Sequence, residues 1–162
     1  MPLKVELKPN ERIIVGTAVI RNGDVRARFF IEGEAPILRE KDILTLETAN
    51  SPARKIYLAI QLMYLQGDLS SHHRVYFPLV QDFVAAAPSS LPLIAEINNC
   101  ILSGDLYKAL KITKKLIAYE EELIAHATGR SGVREGGASH AISQGIGSDD
   151  PDEGGDPSPG GA

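Results

Sequence analysis

The sequence predicts an α+β fold: a small antiparallel β-sheet or barrel at the N-terminus, a helical bundle of three to four helices after it, and a disordered C-terminal tail. Three observations lead there. Over the first 44 residues apolar side chains recur at about every second position, from Ser51 the period lengthens to about 3.6, and from about Thr128 the composition collapses to Gly, Ser, Asp, Glu and Pro. A period of two alternates side chains between the faces of a strand, and one of 3.6 gathers them on one stripe of a helix. The last composition buries too little apolar surface to offset the entropy of ordering it. The expected divisions are an antiparallel β subdomain at 1–48, a helical subdomain packed with it at 49–127, and an acidic Gly/Pro-rich tail at 128–162.

The strands follow in order. LKVEL alternates Leu3, Val5 and Leu7 against Lys4 and Glu6, and Pro9-Asn10 breaks it. ERIIVGTAVIR is rich in β-branched residues and reads as a second strand, with Gly16 where a bulge would fit. Asn22-Gly23 then gives the strongest local signal for a two-residue type I′ turn, so a hairpin is expected there. Its return strand, DVRARFFIE, puts Val25, Ala27, Phe29 and Ile31 on one face and Arg26, Arg28, Phe30 and Glu32 on the other. A last short strand, PILRE, runs into Lys41-Asp42.

Ser51 as N-cap and Pro52 at the first helical position open the first helix, which places Ile56, Ile60, Met63 and Tyr64 on one side and stops at Gly67. Tyr57, Leu58, Leu62 and Leu65 lie off that face; they either pack on the rest of the fold or form a docking surface. A second helix starts at Ser70 or Ser71, with Pro78 as a kink or break and Pro88 as its stop. LPLIAEINNCILSG makes a third, ended by Gly104. Asp105 opens a fourth, with positions 106, 109, 110, 112, 113, 116, 117, 123 and 124 on a mostly apolar face. No internal repeat of 20 to 50 residues is visible.

Charge is informative once divided. Residues 1–50 and 51–127 each balance, whereas residues 128–162 hold two Lys/Arg against six Asp/Glu, so the net charge of −4 sits in the tail. A neutral body still binds phosphate where its cations cluster. Cys100 is the only cysteine, in an apolar stretch, which excludes an internal disulfide and predicts a small buried hydrophobe. The N-terminus lacks an apolar signal-like core, and the most apolar stretches are interrupted by Gln61 and Glu96, so neither a signal peptide nor a membrane span is expected. None of the usual phosphate-loop, dinucleotide, zinc-protease or nucleophile-elbow motifs occurs. Adjacent His72 and His73 point about 100° apart on a helix and would not chelate one ion, and Glu120-Glu121-Glu122 reads as a solvated helix face. The expectation is a protein that is not an enzyme, with no catalytic residues, no metal site and no cofactor.

Two basic groups remain. On the last helix Lys108, Lys111 and Lys115 make a stripe with Lys114 beside it, either a solvated face or a contact for phosphate or an acidic partner. On the sheet, Arg26, Arg28 and Phe30 share a face, Arg21 stands at the turn, and Arg12, Arg39 and Lys41 come from neighbouring segments. Guanidinium forks suit phosphate, and an aromatic among them adds a platform for unpaired bases. Polar side chains are also what an exposed sheet face needs, with Glu32, Glu34 and Glu40 available to neutralise the arginines.

MPLKVELKPNERIIVGTAVIRNGD, then EAPILREKDIL, then SPARKIYLAIQLMYLQGD strongly resemble the flagellum biosynthesis regulator family FlbT over roughly residues 1–125. The resemblance implies a cytoplasmic post-transcriptional regulator that binds the 5′ untranslated region of flagellin messenger RNA, lowers translation and promotes decay. It also implies action beside a second small regulator, FlaF. Residues 8–43 are similar in order to the carbon storage regulator family, small β RNA-binders built as interlocked dimers; that likeness implies a homodimer and puts Arg39 at an RNA-contacting position. The expected RNA-binding residues are Arg12, Arg21, Arg26, Arg28, Phe30, Arg39 and Lys41, and the expected partner is the flagellin mRNA leader. The competing reading is a helical adaptor or chaperone that holds flagellin or FlaF.

Overall fold

The computed structural model describes residues 2–142. β1 (Leu3–Leu7) pairs antiparallel with β4 (Ala27–Ile31), Leu3 opposite Ile31 and Leu7 opposite Ala27. β2 (Arg12–Val15) lies between β3 (Ala18–Arg21) and β5 (Ile37–Arg39) in a second, three-stranded antiparallel sheet. A single 3-10 turn, Glu40–Asp42, follows β5. The helices are α1 (Pro52–Gln66), α2 (Leu69–Ala86), α3 (Leu91–Leu102) and α4 (Leu106–Ile142).

The sheets pack by alternation. Val5, Leu7 and Ile13 are buried and, with Val15, Phe29, Ile31 and Ile37, form a small core between the two sheets. Leu38 and Ile14, the alternate positions of β5 and β2, join the main core of Ile56, Tyr57, Ile60, Met63, Tyr76, Ile94, Ile97, Leu110 and Leu116. The three-stranded sheet is therefore covered on one face by the other sheet and on the opposite face by helices. Each large side chain so buried contributes roughly 1.5–3 kcal/mol.

The expected Asn22-Gly23 hairpin does not form. β3 and β4 belong to different sheets, and the turn lies instead at Gly16-Thr17, between Val15 and Ala18. Gly16 has φ +62°, at the first central position as a type II′ turn requires. The stretch 11–21 is thus two strands, with Gly16 turning the chain instead of bulging it. Asn22 pins the crossover between the sheets, its side-chain amide donating to the carbonyls of Leu7 (3.2 Å), Lys8 (2.8 Å) and Val25 (2.9 Å).

α1 matches expectation at both ends. Ser51 Oγ accepts from the Arg54 N–H at 3.3 Å, Pro52 is the first helical residue, and Gly67 closes the helix at φ +70°. Three polar side chains of α1 bind the backbone of the preceding segment. The Tyr57 hydroxyl donates to the Asp42 carbonyl (2.6 Å), Gln61 bonds both the N–H and the C=O of Leu44, and the Tyr64 hydroxyl accepts from the Ile37 N–H (3.0 Å). Burial, with Asp42 next in weight, pushes the Tyr57 hydroxyl well above its ordinary pKa, so it stays protonated and able to donate.

Other expectations are corrected. α2 begins one residue earlier, capped by Asp68, and continues through Pro78. Both Pro78 and Arg74, whose carbonyl has no N–H of residue 78 to accept from, are exposed, so the interruption falls on the solvent side of the helix. Glu120 is not solvated: it is 7% exposed and its Oε1 accepts the Ala53 N–H at 3.3 Å, at the N-terminus of α1 where a negative charge is favoured. Glu121 holds Arg54 at 2.6 Å. Cys100 is buried as expected.

Two units divide at Glu122/Leu123. In the first, Ala109, Leu110, Ile112, Thr113 and Leu116 are buried as the apolar face predicted; in the second, Leu123 and Ile124 are exposed. α4 runs to Ile142, past the expected limit at 127. The remainder of the expected tail, residues 143–162, lies outside the described residues. No helix among the described residues is long and apolar enough to cross a membrane.

Candidate nucleic-acid interface

The seven residues singled out from the sequence separate into three places. Arg26, Arg28 and Phe30 stand on the outer face of the β1–β4 ribbon, where the register sets Glu6 opposite Arg28 and Lys4 opposite Phe30. Phe30 is 61% exposed. Glu6 pairs with both arginines, at 3.3 Å to Arg26 and 3.9 Å to Arg28. The carboxylate that tempers this face thus comes from β1 and was not among Glu32, Glu34 and Glu40. Exposed pairs of this kind are worth about 0–1 kcal/mol, so a phosphate can replace Glu6 at small cost.

Arg12 and Arg21 sit elsewhere. They are directly opposite each other across β2 and β3, and Arg12 reaches Glu40 through its backbone N–H (3.4 Å) and its Nε (4.0 Å). By strand alternation they lie on the face shared with Ile14, while Arg39, opposite Ile13, lies on the other.

Arg39 and Lys41 occupy the junction of two clefts. One, of about 310 Å³, is lined by Glu6, Lys8, Glu11 and Arg26 together with Arg39 and Lys41. The other, of about 500 Å³, adds Leu3, Ile37, Asp42, Tyr64 and Tyr107 to the same two cations. A smaller hollow of about 130 Å³ continues past Lys41 to Tyr107, Lys111 and Lys114. Along this band Lys8, Arg26, Arg39, Lys41, Lys111 and Lys114 outnumber Glu6, Glu11 and Asp42, so the field favours an extended anion.

Local structure holds the band in place. Lys41 lies in the 3-10 turn that the Tyr57 hydroxyl ties to α1 through the Asp42 carbonyl. The Asp42 carboxylate pairs with Lys114. Tyr64 and Tyr107 have ring centroids 6.0 Å apart and planes inclined by 43°, and Lys111 Nζ lies 4.8 Å from the centre of the Tyr107 ring. The two tyrosines were not among the expected site residues. Tyr107, Lys111 and Lys114 recur at i, i+4 and i+7, and that spacing was the available signal for one helix face. Among the described residues no His, Cys, Asp and Glu side chains gather as a metal ion would need.

The sequence profile described as flagellar protein FlbT matches residues 3–124. Over 124 residues the chain is 64% identical to the probable flagellum biosynthesis repressor protein FlbT 1 of Bradyrhizobium diazoefficiens, covering 76% of this chain and 85% of that one. It is 53% identical over 125 residues to the probable flagellum biosynthesis repressor protein FlbT of Rhodopseudomonas palustris, covering 77% of this chain and 99% of the relative. Against the flagellum biosynthesis repressor protein FlbT of Caulobacter vibrioides the identity is 35% over 140 residues, 85% of this chain and 98% of that one. No solved structure matches the chain.

Proposed function

Because the chain belongs to the FlbT family of flagellar proteins, we propose that it represses flagellum biosynthesis by binding the leader of flagellin messenger RNA through the cationic band centred on Arg39 and Lys41. The observation that carries this reading is the convergence of those two residues with Arg26 and Lys8 on one side and with Tyr64 and Tyr107 on the other. Cations spaced along open clefts suit a phosphate backbone, and aromatic rings between them suit unpaired bases. The protein acts in the cytoplasm, without bond chemistry of its own: occupancy of the leader hinders the ribosome and leaves the message open to decay.

The test is binding of the purified protein to a labelled flagellin leader at several salt concentrations, with unrelated RNA as competitor and no FlaF. The expected result is specific binding whose log affinity falls by about 0.7 per phosphate contact for each decade of salt. Binding that appears only after a protein partner is added overturns it. A second reading then takes over, supported by a different observation: an apolar groove of about 310 Å³ lined by Leu46, Leu58, Leu62, Val75 and Leu79, with Leu46 87% exposed. That groove suits an adaptor or chaperone for flagellin or FlaF, whose binding would depend little on salt.

A further inference from the structure

We infer that the 500 Å³ cleft receives one unstacked nucleobase of the bound RNA, with Tyr107 as its stacking platform and Arg39 and Lys41 on the flanking phosphates; this rests on the RNA-binding reading above. The lining is divided in the way a nucleotide is divided. Leu3, Ala35 and Ile37 supply apolar wall, the rings of Tyr64 and Tyr107 supply flat surface, and the cations stand at the edge shared with the neighbouring cleft. A volume of that size lies within the range of sites that bury small organic ligands.

The two tyrosines have different freedom. Tyr64 is held through its hydroxyl, which accepts from the Ile37 N–H at 3.0 Å and donates to the Ile37 carbonyl at 3.4 Å, so its ring is a fixed wall. Tyr107 is 44% exposed and rises from the first turn of α4, which Asp105 caps by accepting the Lys108 N–H at 3.2 Å. The cation above its ring, Lys111, is on a flexible stem. Lys111 lines the adjoining 130 Å³ hollow and not the 500 Å³ cleft, and an exposed cation–π contact of this kind is weak, so it leaves the ammonium able to turn toward a bound phosphate. A duplex offers no free base face; only a single strand or a loop does.

The experiment uses the full chain, the same leader RNA in single-stranded and fully duplexed form, and a leader carrying the fluorescent base 2-aminopurine. Tyr107→Ala is expected to weaken single-strand binding about 5- to 140-fold, the range for loss of one base–aromatic stack, with an unchanged salt slope. Tyr107→Phe is expected to retain affinity, Lys41→Ala to lower the salt slope by about 0.7, and at least one position of the 2-aminopurine scan to be quenched by wild type and not by Tyr107→Ala. If Lys41→Ala weakens binding while Tyr107→Ala does not, or if no position in the scan is quenched, the stacking site is wrong and the RNA-binding reading stands. If wild type binds neither RNA form, the RNA-binding reading itself fails, and the stacking site with it. Equal weakening of single-strand and duplex binding by Tyr107→Ala also overturns the stacking role, since a duplex presents no base to stack.

Discussion

Gln61 and Leu44 exchange two hydrogen bonds, each 2.9 Å: the Leu44 N–H donates to Gln61 Oε1 and Gln61 Nε2 donates to the Leu44 carbonyl. A buried glutamine thus serves as one rung of a ladder for a segment that has no strand beside it. Tyr57 and Tyr64, one turn before and one turn after Gln61 along α1, bond the Asp42 carbonyl and the backbone of Ile37 in β5. These three side chains hold the stretch that carries Arg39 and Lys41 to the helices, so the position of the cationic band depends on polar groups inside an otherwise apolar helix face.

Gln61→Leu keeps the volume roughly and removes both partners of a part-buried N–H and C=O. The expected loss is about 1–3 kcal/mol, the desolvation cost of leaving such groups unpaired. Urea denaturation should show a lower midpoint with an unchanged slope. An unchanged midpoint would mean that water satisfies Leu44 equally well.

Gly16→Ala is expected to destabilise by about 1 kcal/mol or more, because φ +62° is open to Gly and strained for Ala. Gly23→Ala is expected to be neutral or slightly stabilising, since Gly23 has no positive φ and an added Cβ meets nothing within 4 Å. Asn22→Ala removes three donated hydrogen bonds and should cost about 1–3 kcal/mol. The reverse order in thermal melts, with Gly23 the sensitive glycine, would restore the hairpin at Asn22-Gly23.

Those three positions also show what in this fold is legible from sequence. α1 is readable at both ends because its limits are local: a hydroxyl at Ser51, a ring at Pro52, a left-handed residue at Gly67. Strand pairing is not local. Asn-Gly is a propensity of four residues, and the burial of Val5, Leu7 and Phe29 against Ile13 and Ile37 outweighs it by drawing β4 to β1. The site divides in the same way. Arg39 and Lys41 are legible as cations near a strand end. Tyr64 and Tyr107 become part of the same cleft only once α1 and α4 pack beside β5, and no spacing along the chain announces that meeting.

Asp68 carries a pH dependence. Hydrogen bonds from the side chains of Ser71 and Ser70, with backbone N–H bonds from the same residues, lower its pKa from 3.8 to about 2. Because the folded value lies below the ordinary one, its contribution to α2 is fully present above pH 3.8 and fades as the pH falls through about 2. The Asp68 side-chain carboxyl carbon should titrate near 2 by NMR. In Asp68→Asn the stability difference from wild type should shrink across that interval. A titration midpoint at the ordinary value would show that the serine hydroxyls point elsewhere in solution.

Glu6 gives the sharpest test of the cationic face, because one carboxylate holds both Arg26 and Arg28 and also lines the cleft of Arg39 and Lys41. Glu6→Gln removes one negative charge and leaves the side-chain shape. The pairs are exposed, so stability should change by less than about 1 kcal/mol. RNA binding should tighten, since the phosphates no longer compete with a carboxylate for the two guanidinium groups; one exposed charge at about 4 Å is worth roughly 1 kcal/mol, or about fivefold. The gain should be greatest at low salt and disappear near 1 M, where screening acts over about 3 Å. Glu96→Gln, the same change of charge at an exposed position of α3, is the control: an equal gain there would assign the effect to net charge and remove Arg26 and Arg28 from the interface.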